Sequence, residues 1–283
     1  MTGGERIIEA NGVPLCVDTA GDPADPAVLL IHGASASLLW WDRELCERIA
    51  GGGRFVIRYD SRDTGRSVSY PPGRPGYRLT DLADDAIGVL DALGVGRAHV
   101  VGRSMGGATA LVAGVDHPER VASLTFVGTT TGDPDLPPMA PEVSAAMGGQ
   151  PDPADRAATV EHVVALMRAF AGPSGVDGDG FDADEVRRLA EQDVERTRDM
   201  AAALTNHFCI EFDGPRRVGF AELTVPVLVV HGDRDPVFPL PHGRAVQAAI
   251  PGADLLVLAD TGHDLPRRRY PEFVAALLRH THP

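Results

Sequence analysis

Apolar positions along the chain fall into two alternating rhythms. Short, mostly apolar runs occur at Ala27–Ile31, Phe55–Tyr59, Ala98–Gly102, Val121–Val127, Val227–Val230 and Leu255–Leu258. Runs of this length suit strands buried on both faces of a parallel sheet. Between and after them lie stretches with helical spacing, near Asp42–Ala50, Asp81–Leu93, Met105–Val115, Gly243–Ala249 and Tyr270–Thr281. In the second of these, Leu82, Ile87, Leu90 and Leu93 recur near the helical period, and Thr80 is placed to cap the helix. Two further strand-like runs, Arg6–Glu9 and Pro14–Thr19, are joined through Asn11-Gly12. Asn-Gly between such runs predicts a hairpin turn, because both central positions need positive φ. The alternation predicts an α/β fold: a mostly parallel, doubly wound sheet of about eight strands with helices on both sides.

The rhythm breaks after the fourth buried strand. From Thr129 to Gly219 no comparable run appears. This segment opens with Pro134, Pro137, Pro138 and Pro141 and then shows helical patterns near Ala154–Phe170 and Ala183–Thr205. A Gly- and Asp-rich stretch, Gly172–Gly180, separates the two patterns. The chain is therefore expected to be one core, residues 1–128 and 220–283, interrupted by a helical insertion at 129–219.

Composition narrows the chemistry. The 283 residues carry 40 acidic and 26 basic side chains, a formal charge of −14, and every basic residue is arginine. Without lysine there is no pyridoxal-phosphate Schiff base, no phosphate loop ending in Gly-Lys-Ser/Thr and no kinase strand lysine. The anionic balance argues against nucleic acid as a partner. Cys16, Cys46 and Cys209 are odd in number and widely spaced, so they predict small buried hydrophobes and not disulfides or a zinc site. No metal or cofactor is expected. The first residues lack the apolar stretch of a signal peptide, and no run reaches the ~18 apolar residues of a membrane span. A cytoplasmic protein that does not engage membranes is the expectation.

One constellation carries chemistry. Gly102-Arg103-Ser104-Met105-Gly106 is a Gly-x-Ser-x-Gly motif that follows a buried strand and opens a helix. In that context a strained turn holds the serine above the sheet, with helix N–H groups aimed at a developing anion. The bland alternative is a tight strand–helix turn with an exposed serine. A serine nucleophile needs a base and an acid that orients it, expected here in the order Ser, Asp, His. Asp235 follows the strand Val227–Val230, and His263 follows the strand ending near Leu258. Ser104 is assigned as nucleophile, His263 as general base and then acid, and Asp235 as the orienting group. Asp233 competes with Asp235; it directly follows Gly232 and could instead serve the turn.

The remaining histidines fit other roles. His32 and His231 end strands before glycine, which favours structural positions. His99 lies inside a strand, and His117 follows a helix. His242 sits just ahead of a helix, and His280 and His282 belong to the tail. His162 and His207 fall in the insertion, where substrate contact and surface placement compete. Two backbone donors are needed for a tetrahedral oxyanion. Met105 N–H is one. The loop His32–Ser37 supplies the other, assigned to Ala34 N–H. Trp40 and Trp41 close that loop, and packing of the first helix is favoured over a binding role for them.

These motifs in this order resemble the α/β-hydrolase superfamily. The resemblance rests on His32-Gly33, on Asp60–Ser67, on Gly102–Gly107, on Gly232–Asp235 and on Gly262-His263. It covers nearly the whole chain outside the insertion. Arg58–Ser67 together with Arg97–Gly102 look most like the aclacinomycin methylesterase group of actinobacterial polyketide pathways. The resemblance implies a serine esterase acting on a small hydrophobic ester or lactone, such as a methyl ester of a secondary metabolite. It also implies that the insertion caps the substrate. Candidate pocket residues are Met139, Met147, Met167, Phe170, His207, Phe208, Phe212 and Phe238; Met and Phe in helices can equally be packing. Arg267–Arg269 reads as a solvated approach to the last helix.

Rival chemistries remain open. Carbon–carbon bond hydrolases share the Ser104–Leu111 pattern, but usually have Gly-Pro-Gly in the first loop and Trp after the histidine, where this chain has Asp264. Haloperoxidase-like or perhydrolase activity could use the same triad without a cofactor. From another class, a hydrolase-fold receptor would bind a small ligand without turnover.

Overall fold

A computed structural model describes residues 4–173, 181–214 and 217–282. Its elements in chain order are β1 (Arg6–Ala10), β2 (Val13–Ala20), β3 (Ala27–Ile31), α1 (Arg43–Ala50), β4 (Phe55–Tyr59), α2 (Leu79–Ala92), β5 (Ala98–Arg103), α3 (Met105–Asp116) and β6 (Val121–Val127). There follow α4 (Pro141–Gly148), α5 (Arg156–Ala171), α6 (Ala183–Arg196), α7 (Met200–Thr205) and α8 (Arg217–Glu222). The chain closes with β7 (Val227–Gly232), α9 (Pro241–Ala249), β8 (Asp254–Leu258) and α10 (Tyr270–His280).

The eight strands form one sheet in the order β1-β2-β4-β3-β5-β6-β7-β8. The β1–β2 hairpin and the β2–β4 pairing are antiparallel, and the other pairings are parallel. Asn11 and Gly12 take φ of +49° and +74°, as the hairpin turn requires. The apolar run of β3 divides by strand alternation. Ala27, Leu29 and Ile31 enter an apolar layer with residues of α2 and α3. Val28 and Leu30 enter a second layer with residues of α1 and α10. An uninterrupted apolar run is thus what a strand between two helical layers needs. A third, smaller cluster, Val160, Val164, Ala190 and Val194, belongs to α5 and α6 alone.

The helices depart from expectation in four places. The N-cap of α2 is Arg78, whose N–H donates to the Asp81 carboxylate at 2.8 Å; Thr80 lies inside the helix and bonds Asp213 instead. The Pro-rich stretch leads into α4, with Pro141 in the first turn, where its missing N–H costs nothing. The pattern near Ala183–Thr205 is two helices, because Asp199 leaves the helical conformation and caps α7 through Ala202 N–H at 3.0 Å. His242 lies within α9 rather than ahead of it, buried, with Nε2 donating to the Pro137 carbonyl at 2.8 Å. Of the stretch 172–180, residues 174–180 lie outside the described residues. Cys16 and Cys46 are buried as expected, but Cys209 is exposed. Among the described residues no helix is long and apolar enough to cross a membrane.

Candidate active site

The sheet order creates the crevice. From β3 the chain steps to β4 on one side, then crosses to β5 on the other. Loops leaving β3 and β5 therefore diverge at their carboxyl ends, where open α/β sheets place their ligands. Ser104 stands directly after β5 as the N-cap of α3, with φ +52° and ψ −120°. This is strained backbone for a residue with a Cβ. The motif's glycines act by close approach instead. A Cβ on Gly102 would lie 2.2 Å from the Gly106 carbonyl oxygen, and one on Gly106 would lie 2.6 Å from the carbonyl oxygens of Ile31 and His32. The turn is locked further by Ser104 N–H donating to Val127 O at 2.9 Å.

His263 and Asp235 meet beside it. His263 Nδ1 and Asp235 Oδ2 are 2.8 Å apart, and the residues are 5% and 3% exposed. Asp235 Oδ1 accepts the N–H groups of Val237 and Phe238 at 2.8 and 2.9 Å. Burial works against the charge of Asp235, but His263, His231 and the Phe238 N–H outweigh it and hold the carboxyl below its usual range. Asp233 is exposed and accepts from Thr261 N–H at 3.3 Å, so it serves the turn. His231 contacts the same carboxylate at 3.5 Å, while its Nε2 donates to the Phe238 carbonyl at 2.6 Å.

Sequence reasoning passed over residues that hold this histidine. Its N–H donates to Phe170 O at 2.7 Å, and its carbonyl accepts from Arg103 Nη2 at 2.8 Å. Its ring is edge-on to Phe170 and Phe238. Arg103 is 7% exposed, and burial pushes its pKa down while Asp264 and Asp235 oppose that. An arginine at a variable motif position gave no sequence signal; only its burial against the β8 loop reveals it.

A cavity of about 650 Å³ opens over Ser104. Its lining includes Ala34, Met105 and His263 and all eight residues expected to form the pocket. Every methionine after Met1 faces it: Met105, Met139, Met147, Met167 and Met200. Phe208 and Phe212 line it while remaining 54% and 42% exposed, which puts them at its rim. The two tryptophans separate. Trp41 is buried in the core as expected, but Trp40 lines the cavity and donates from Nε1 to Asp193 of α6 at 2.7 Å. Met105 N–H is the first of α3 and has no acceptor within the helix. The β3 loop passes so close that a Cβ on Gly33 would lie 3.0 Å from Ser104 Cβ. His207 is fully buried, which settles its surface alternative. Among the described residues no cluster of potential metal ligands is present.

Comparison with known proteins agrees with this architecture. The family model described as alpha/beta hydrolase fold matches residues 26–266. The rhodomycin D methylesterase DauP of Streptomyces sp. (strain C5) is 34% identical over 98% of this chain and 97% of its own length. A 2-hydroxy-6-oxononadienedioate/2-hydroxy-6-oxononatrienedioate hydrolase of Paraburkholderia xenovorans is 31% identical, covering 91% of this chain and 87% of its own. A solved meta-cleavage product hydrolase from Pseudomonas fluorescens superposes with a TM-score of 0.76 at 22% identity, over 97% of this chain and 96% of that one. With its sheet order, its serine turn and these matches over nearly its whole length, the chain belongs to the α/β-hydrolase fold family.

Proposed function

We propose that the protein is a serine hydrolase that cleaves a carboxylic ester through an acyl-enzyme, with Ser104, His263 and Asp235 as its triad. The observation that carries this reading is the buried 2.8 Å contact between Asp235 and His263, whose ring lines the same cavity as a serine held at φ +52°. Asp235 fixes the ring with its proton on Nδ1, which leaves Nε2 for the Ser104 hydroxyl. His263 takes the serine proton as Oγ attacks the ester carbonyl. The N–H groups of Met105 and Ala34 bind the oxyanion. His263 then protonates the leaving alkoxide, and water repeats the sequence in reverse to release the acid.

The wall suggests the substrate class. Thioether and phenyl side chains are polarisable and adapt to flat apolar ligands. Five methionines and five phenylalanines around one cavity fit the acyl part of a bulky aromatic ester, and a methyl ester agrees with the relative DauP. The segment 129–219 then serves as a cap over this substrate, and the partner is a small hydrophobic ester or lactone. Ser104→Ala is expected to lower kcat on a p-nitrophenyl ester by ~10⁴–10⁶ without changing the thermal midpoint. Retained turnover would remove the assignment. The Paraburkholderia relative motivates carbon–carbon hydrolysis as the second reading. Methanol release from an aromatic methyl ester, with no turnover of a ring-cleavage dienoate, separates the two.

A further inference from the structure

The loop after β3 is held by a side chain from the far wall of the cavity. His207 stands in the 3₁₀ turn Asn206–Phe208 after α7 and is 1% exposed. Its Nδ1 accepts the Ser35 N–H at 3.0 Å, and its Nε2 lies 2.9 Å from the Arg62 carbonyl oxygen. A backbone N–H only donates and a carbonyl only accepts. The two partners therefore fix one form of the ring, neutral with its proton on Nε2. Burial favours the same neutral form.

The Ser35 bond matters because of what it restrains. Ser35 has φ +63°, a region that residues with a Cβ rarely adopt, and its buried hydroxyl has no partner among the described residues. The Ser35 side chain therefore adds nothing that holds this backbone conformation, and its N–H is held by His207. The neighbouring Asn206 anchors the histidine's turn, donating to the Asp63 carboxylate at 2.9 Å, and Asp63 also accepts from Tyr77 Oη at 2.6 Å.

We propose that His207 is a positioning residue that holds the β3 loop in the conformation that presents Ala34 N–H to the oxyanion. A side chain of the segment between β6 and β7 thereby sets how well the transition state is bound. This rests on the assignment of Ala34 and Met105 as oxyanion donors. Losing a whole oxyanion donor costs ~10²–10³ in kcat, so a loosened one should cost about 10–100-fold. Ground-state binding relies on the apolar wall, so KM should change less than about twofold.

Two amide variants of the full chain separate the two ring nitrogens. His207→Asn puts an acceptor near the Nδ1 position and keeps the Ser35 bond. His207→Gln reaches the Nε2 position, keeping the Arg62 bond but not the Ser35 bond. With p-nitrophenyl butyrate, His207→Asn should retain kcat within about 3-fold, and His207→Gln should lose about 10–100-fold at nearly constant KM. Equal kcat in the two variants, or a loss confined to KM, overturns the proposal. His207→Leu should resemble Gln, and if it does not fold the Asn–Gln pair still decides. Ser104→Ala is measured alongside. If it is dead while His207→Gln is fully active, only this inference falls; if it is active, the underlying triad assignment falls.

Discussion

At the carboxyl ends of β5, β7 and β8, the three proposed triad residues are held largely by backbone groups. Ser104 is pinned by a strained φ and glycine contacts, Asp235 by two N–H donors, and His263 by the Phe170 carbonyl and Arg103. Across the cavity, α4, α5 and α7 present thioether and phenyl groups, beside a small apolar cluster that α5 shares with α6. The two sides are joined by polar links that are buried or partly buried. Trp40 bonds Asp193, Arg196 pairs with Asp60 at 2.8 Å, Asn206 bonds Asp63, and His207 holds Ser35. Polar links have strict geometry where apolar contacts slide, so they fix the position of a wall that shares little core with the sheet. Under the proposed function, one side supplies the precision that acyl transfer requires and the other the tolerance that a bulky aromatic ester requires.

Four substitutions sharpen that contrast, beginning with the largest expected effect. Asp235→Asn should lower kcat about 10⁴-fold, because an amide cannot hold the required histidine tautomer. Asp233→Asn, at the exposed turn position, should stay within about twofold. Comparable losses in the two would show that the strand-end geometry does not single out one carboxylate. Next in size is Asp60→Asn at the junction. Asp60 is fully buried and accepts from Leu38 N–H, Arg66 N–H and Arg196. Burial raises its pKa, against the pull of Arg196. Losing its charge leaves Arg196 with Glu5 alone and should cost about 2 kcal/mol in urea unfolding, with kcat changed only a few-fold. A collapse of kcat without loss of stability would mean that the junction belongs to the chemistry. The smallest effect is expected in the far wall. Met167→Leu conserves volume and should cost under about 1.5 kcal/mol, with KM for an aromatic ester shifted up to about 3-fold and kcat unchanged. A large fall in kcat would show that this wall is as exacting as the strand ends.

Much of this was legible in the sequence for local reasons. All eight strands appear as apolar runs or as a hairpin, because burial between two helical layers demands mostly apolar residues in the central strands. The eight expected pocket residues all reach the cavity; for the six Met and Phe between β6 and β7, little other apolar core is available to enter. Helix ends were less legible. Thr80 is not the cap because Asp213 bonds its side chain, and the helical pattern over Ala183–Thr205 is split by Asp199.

The sequence by itself determined the order of elements, the motifs and the residue types available for acyl transfer without lysine. Local periodicity and turn chemistry act over a few residues, so they are written in consecutive letters. The tertiary structure alone decided that Asp235 rather than Asp233 meets His263, that Arg103 is buried against the β8 loop, and that His207 reaches Ser35. Those contacts join residues 28, 160 and 172 positions apart. They depend on where strands and helices pack, which no local pattern records.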